Sequence, residues 1–344
     1  MTERLAQRGI SDDFVLQFEH GVLRPILERL RHDDTIGLEI RSGYVNIYYR
    51  GGNLLRLTAG KGTLRFGAVF DWRYLGGDGE YTCWTPPERP PSVIQSLDDA
   101  EAWVDAFPHL KQAMDIRFAR HPRIEREYQQ AVVRDNNRHR SGERSDYVIV
   151  DVEYAQSPGA FPGRAADFRF DMVGLRWPVA GGSRRNAVAT PVIVEMKTGD
   201  AALASHALDP AGAKLSPGLA RHVRDIERFL APDRGFATSG PYELLRAELL
   251  HIFAVKKRLG LPSVPERMRA LELEELTQRP EVLFVIANHV PASRALGQEL
   301  LRLPERRHAD YFVAMAQWMG YGLFAESKMP LDAFIADVLG GRGA

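Results

Sequence analysis

The apolar run Pro191-Val192-Ile193-Val194 passes directly into Glu195-Met196-Lys197, and Thr198-Gly199-Asp200 follows at once. A strand alternates its side chains between faces, so Glu195 and Lys197 point one way and Met196 the other. A carboxylate and an ammonium group therefore share one face at the end of an apolar strand. An earlier apolar run, Phe168 to Leu175, carries a second carboxylate, Asp171, and a turn-rich segment from Gly181-Gly182-Ser183 onward separates the two. The pattern predicts strand, loop and strand. A carboxylate inside an apolar strand is costly to bury without a partner, so Asp171 needs an explanation beyond solvation.

Composition places few limits on this site but excludes several classes. The chain has 344 residues, 44% hydrophobic and 26% charged, as expected of an ordinary folded protein of two domains or one elaborated core. Its single cysteine, Cys83, rules out an internal disulfide or a cysteine zinc cage. The N-terminus lacks an apolar signal core, and no run reaches the roughly 20 apolar residues that span a bilayer. A cytoplasmic location and no membrane partner are the expectations. The 45 basic and 45 acidic residues cancel, so nucleic-acid binding must rest on local patches. The densest is Arg134, Arg138, His139, Arg140 and Arg144, supported by Arg184 and Arg185; its simpler reading is a solvated loop. Lysine is scarce beside arginine, which adds weight to Lys197 at the end of an apolar strand.

Three regions follow from periodicity and turn signals. Residues 1–90 read as a small α+β module: helical spacing over 12–32 broken at Pro25, then strands at 37–41, 44–49 and 54–57 and a further one within 64–70, joined by glycine turns into an antiparallel meander. The Pro86 to Pro91 segment reads as a connection. Ser96 then caps a helix that Pro108 is expected to close at Phe107. Residues 110–290 alternate helix and strand: a helix over 124–136, strands at 147–154, 167–177 and 191–197, an amphipathic helix from Leu219, helices at 242–259 and 265–276, and a buried strand at 281–287. Residues 291–344 read as a helical extension, with helices over 309–319 and 331–339.

A helix, three strands, a helix and a strand, with Asp171 in the second strand and Glu195-Met196-Lys197 in the third, resembles the PD-(D/E)xK nuclease superfamily over about residues 120–290. Glu125-Arg126-Glu127-Tyr128 looks like the acidic start of that family's first helix, with Glu125 the preferred match and Glu127 the second. The resemblance implies a restriction-endonuclease-like mixed α/β sheet flanked by helices. It also implies a catalytic set of Glu125, Asp171, Glu195 and Lys197 and a Mg²⁺ or Mn²⁺ cofactor. The chemistry accounts for these residue types. Mg²⁺ is a hard cation that takes oxygen ligands, and Asp171 and Glu195 offer two carboxylates from strands ~4.8 Å apart. The family implies a backbone carbonyl from Met196 as another ligand and Glu125 at a second metal or its water. Lys197 would favour deprotonation of the attacking water and stabilise charge on phosphate oxygens.

The function so implied is metal-dependent hydrolysis of phosphodiester bonds in DNA, in restriction, repair or phage defence, with nucleic acid and a partner subunit or second copy as partners. The alternative is an inactive nuclease-fold module that binds nucleic acid or protein. Other residues compete for roles. Asp151 and Glu153 read as edge charges on the first strand, and His289 as a surface or capping histidine. Lys214, His222, Arg224 and Glu227 lie where family members often place a helper; Lys214 and His222 are the candidates, against a plain polar helix face. Tyr48 and Tyr49 read as packing residues rather than base-stacking ones. No phosphate loop, serine-hydrolase elbow or His-Glu-x-x-His motif occurs.

Overall fold

The computed structural model describes residues 8–60, 65–75, 89–138, 143–156, 168–178, 188–199, 218–231, 240–273, 275–287, 294–316, 322–323 and 328–340. They form two compact units: Met1–Gln130 with His251–Val264, and Ala131–Leu250 with Pro265–Ala344. The division falls inside a helix at Gln130/Ala131 and at Leu250/His251 and just before one at Val264/Pro265, and residues beyond 291 belong to the second unit.

In the first unit, Pro25 separates two helices, as expected. Helix α1, Asp12–Glu19, is capped by the Ser11 hydroxyl, and α2, Arg24–His32, takes Pro25 into its first turn, where a missing N–H costs nothing. Strands β1 (Ile36–Ile40), β2 (Tyr44–Tyr49), β3 (Gly52–Ala59), β4 (Phe66–Val69) and β5 (Val93–Ile94) form an antiparallel sheet in sequence order. The β2–β3 turn is Arg50-Gly51, both with positive φ (47° and 72°), which favours glycine at the second position. Tyr48 is buried, and the Tyr49 hydroxyl donates to Asp115 at 2.9 Å, so both tyrosines pack. The segment from His251 joins this unit through a buried ion pair, Lys256 to Glu39 at 2.9 Å.

Helix α3 runs from Leu97 to Arg120, so Pro108 does not close it. The reason is quantitative. An interior proline costs about 3 kcal/mol, whereas burying each large apolar side chain returns about 1.5–3 kcal/mol. Phe107, Leu110, Met114 and Phe118 continue one buried stripe across the proline. Helix α4, Ile124–Asn137, buries Val132 but leaves Ile124 exposed.

The second unit is organised by one mixed sheet. Strands β6 (Tyr147–Gln156), β7 (Phe168–Arg176) and β8 (Val188–Thr198) form an antiparallel meander. Next, β10 (Glu281–Ala287) pairs parallel with β8, and β11 (Asp310–Ala316) parallel with β10; β12 (Lys328–Pro330) closes antiparallel. The spatial order is β12-β11-β10-β8-β7-β6, with β9 (Glu275–Leu276) beside the start of β8. Every residue of β10 is buried, which fits a central strand flanked on both edges. Helices α5 (Leu219–Leu230), α7 (Glu266–Arg269), α8 (Arg294–Leu300) and α9 (Leu331–Gly340) complete it, with the part of α6 (Pro241–Arg258) up to Leu250.

Two expected helices are corrected. Residues 265–276 hold only the short α7, followed by β9. Residues 309–319 contain strand β11, so the C-terminal region supplies two strands to the sheet as well as helices. The Tyr311-Phe312-Val313 cluster suits a pleated surface, and pairing from Glu281–Asp310 to Ala287–Ala316 satisfies the backbone groups along the β10 edge.

Close backbone approach in the meander depends on Gly174 of β7. A Cβ there would stand 2.3 Å from the Val148 carbonyl oxygen, beside a register shift between Ile149 and Asp151. Gly174→Ala is expected to destabilise the protein by roughly 1–3 kcal/mol, the range for overpacking, in urea denaturation; an unchanged midpoint would contradict this close packing.

Candidate functional site

The β7–β8 register brings the two strand carboxylates together. Met172 pairs with Val194 and Val173 with Ile193, which carries Asp171 to the level of Glu195. The Met196 N–H donates to Asp171 Oδ2 at 2.7 Å, fixing the aspartate against the backbone of the Glu-x-Lys tripeptide. Glu195 and Lys197 are both buried, at 1% and 5% exposure, and β10 flanks them with Phe284 and Ile286. Glu195 and Lys197 thus lie in a water-excluded part of the sheet, with the half-buried Asp171 beside them.

The electrostatics follow from this placement. Burial, and next the negative charge of Glu195, push the Asp171 carboxyl up to about 7; Lys197, the Met196 N–H and His222 pull the other way. Desolvation and like-charge repulsion both favour the protonated acid here.

Helix α5 delivers a fourth group. His222 Nδ1 lies 3.0 Å from Glu195 Oε2, and the side chain is 16% exposed. The contact is of ion-pair length, and a protonated imidazole there would offset the buried carboxylate charge. Both ends of α5 are held. The Ala220 N–H, in its first turn, donates to the buried Glu299 carboxylate at 2.8 Å, where the helix dipole favours negative charge. Glu227 accepts from the Tyr311 hydroxyl (2.7 Å), from His308 Nδ1 (2.7 Å) and from the Arg307 N–H (3.0 Å). These bonds hold the Glu227 carboxyl below its ordinary range against the opposing effect of burial.

The structure treats the other candidates differently. Glu125 is exposed in the first turn of α4 and belongs to the first unit; Glu127, in the same unit, accepts from Arg50 at 3.0 Å. Asp151 is wholly buried rather than an edge charge, although β6 is the last strand of its sheet; it follows the register shift after Ile149, and Glu153 adopts a positive φ of 51°. Arg138 is also buried, while Arg134 is exposed beside Asp135. Lys214, His289, His139, Arg140, Arg184 and Arg185 lie outside the described residues. Sequence reasoning named Glu227 only as a polar helix residue and did not find Glu299. Neither carries a local signal, since their partners lie about 80 residues away in sequence.

Among the described residues, no group of three or more His, Cys, Asp or Glu side chains is placed to hold a metal. A divalent ion would therefore rest on Asp171 and Glu195, with backbone and water oxygens completing its shell. The donor set fits a hard cation, because both ligands are carboxylates and their mutual repulsion is what a bound charge relieves. No helix of the described residues is long and apolar enough to cross a membrane. Comparison with known proteins gives no match, whether to family models, curated proteins or solved structures.

The sign of the pH dependence is fixed by the Asp171 shift. A carboxyl raised from 3.8 to about 7 in the folded state contributes stability below about pH 4 that is lost as pH rises through 7. In metal-free buffer, Asp171→Asn is expected to raise Tm at pH 8, with the gain vanishing near pH 4. A gain independent of pH would contradict the shift.

Proposed function

We propose that the second unit is a metal-dependent phosphodiesterase of the PD-(D/E)xK type acting on nucleic acid, DNA first among its substrates. The observation that carries this reading is the convergence of Asp171, Glu195 and Lys197 on neighbouring strands, with Asp171 bonded to the backbone inside the Glu-x-Lys tripeptide. The strand order supports it. A helix, three strands, a helix and a strand is the order the resemblance implies, and α4, β6, β7, β8, α5 and β10 follow it, with two more helices and β9 before β10.

Each residue has a chemical task. Asp171 and Glu195 hold the divalent ion, Mg²⁺ or Mn²⁺, with the Met196 carbonyl as the third ligand the family implies. When bound, the ion supplies Lewis-acid charge and lowers the pKa of water. Lys197 places a positive charge where negative charge builds on the phosphate oxygens, an effect worth about 10²–10³ in rate at a preorganised site. His222, whose Nδ1 lies 3.0 Å from Glu195 Oε2, acts as a positioning residue for that carboxylate. The assignment of Glu125 rests on the resemblance alone.

The competing reading is a binding module without cleavage. The absence of a three-residue metal cluster among the described residues favours it, and a single assay separates the two. Plasmid, linear and single-stranded DNA and RNA are incubated with the protein in Mg²⁺ or Mn²⁺. Cleavage is expected with metal and not in EDTA, lost in Glu195→Ala, and reduced at least about 100-fold in Lys197→Met with metal binding kept. Cleavage that persists in EDTA, or in both variants, rejects the mechanism.

His222 has its own readout. Outer-shell partners of metal ligands typically contribute about 10–100-fold to metal affinity. His222→Ala is expected to raise the Mn²⁺ Kd by that factor, and His222→Asn, which keeps a side-chain N–H near the Nδ1 position, to restore most of it. Equal Kd values for all three proteins would remove the positioning role.

A further inference from the structure

The first unit carries a concentration of arginine that the site above does not use. Residues 117–126 include Arg117, Arg120, Arg123 and Arg126 against one carboxylate, Glu125, in a chain whose net charge is zero. Arg123 and Arg126, with Ile124 and Glu125, line an open surface depression of about 510 Å³ at the start of α4. Beneath this corner runs a continuous ladder of rings. Trp72 meets Phe70 at 5.2 Å, Phe70 meets Tyr74 at 5.6 Å, and Tyr74 meets Phe118 at 5.6 Å.

Two exposed arginines lie on that ladder. The Arg89 guanidinium sits 4.3 Å from the Trp72 ring centre, and that of Arg123 lies 5.9 Å from Tyr74 and 5.8 Å from Phe118. Among the described residues, the neighbouring carboxylates have other bonded partners, though Asp71 also feels the charge of Arg123. Asp71 is bonded to Arg73 at 2.9 Å, and Arg50 takes both Asp115 (2.6 Å) and Glu127 (3.0 Å). Among the described residues, neither Arg89 nor Arg123 has a carboxylate within ion-pair distance. Glu125 opposes an anion in the depression, but the two arginines there outnumber it.

The physical consequence follows from the shape of guanidinium. A guanidinium held against a ring is restricted in orientation and has five N–H donors; Arg123 turns toward the Tyr74 hydroxyl, and its other donors remain for bidentate bonds to phosphate. Holding the group before binding lowers the entropy lost per bond formed. Phosphodiester oxygens match that edge and carry the compensating charge. We propose that this corner of the first unit, centred on Arg89 and Arg123, binds the phosphate backbone of a nucleic acid. The proposal does not rest on the chemistry assigned to the second unit, because a chain that binds without cutting would use it equally.

The test is fluorescence-anisotropy titration of labelled single-stranded and duplex DNA and RNA with the full chain carrying Glu195→Gln, so that loss of cleavage cannot be mistaken for loss of binding. Adding Arg89→Ala and Arg123→Ala together is expected to weaken binding at least about tenfold. It should also reduce the slope of log K against log salt by roughly 1.4 on single strands and 1.8 on duplex, the contribution of two phosphate contacts. Arg56→Ala, which removes an arginine lying 5.1 Å over the Tyr44 ring elsewhere in the unit, serves as control and leaves both unchanged. Thermal melting checks that each variant is folded, and Arg89→Lys with Arg123→Lys, which keeps the charge, should retain most of the salt slope. The proposal is overturned if the full chain binds no nucleic acid at low salt, or if a folded double-alanine variant keeps its affinity and slope. It is also overturned if anionic vesicles or polyglutamate bind more tightly than nucleic acid and lose that binding in the same variant.

Discussion

The second unit depends on one unfavourable juxtaposition: two carboxylates in one sheet, the buried Glu195 and the half-buried Asp171. Left alone, such a pair is held by partial protonation and by the positive groups around it. Lys197, the Met196 N–H and His222 all act in that direction. Much of the surrounding architecture fixes those compensating groups in place. The β7–β8 register sets Asp171 against Met196, and α5 is secured at both ends by Glu299 and Glu227 so that His222 meets Glu195.

A second buried acid in the same sheet shows the contrast. Glu281, at the start of β10, receives Arg176 at 3.0 Å, Lys328 at 2.6 Å and the Tyr147 hydroxyl at 2.8 Å. One carboxylate there faces two cations and a phenol, which suits a structural network whose members satisfy one another. At Asp171 burial, and next the Glu195 carboxylate, raise the pKa and outweigh Lys197, the Met196 N–H and His222. Such perturbation is a pointer to function when geometry supports it, as the adjoining Lys197 does here.

Much of this was legible in the sequence, for reasons that differ by residue. Period-two alternation ties Glu195 to Lys197, and turn signals separate the strands of both sheets, so the meander and the β6-β7-β8 succession could be read directly. Local rules failed where distant packing decides. Pro108 is a breaker by propensity, yet the buried residues on either side of it carry α3 through. Residues 309–319 are ambiguous in isolation and become β11 because the β10 edge is there to pair with. Asp151 looked like an edge charge because burial across a bulge leaves no mark on the sequence. Glu299 and Glu227 act through partners far along the chain, so no spacing reveals them.

The central claim is that Asp171 and Glu195 form a divalent-cation site, and Mn²⁺ titration calorimetry in buffers of different ionisation enthalpy tests it without reference to any substrate. The account predicts saturable binding abolished by Glu195→Gln, with proton release at pH 6.5 because Asp171 titrates near 7 and must ionise to bind the metal. Absence of saturable binding, or binding that survives both Glu195→Gln and Asp171→Asn, would contradict it.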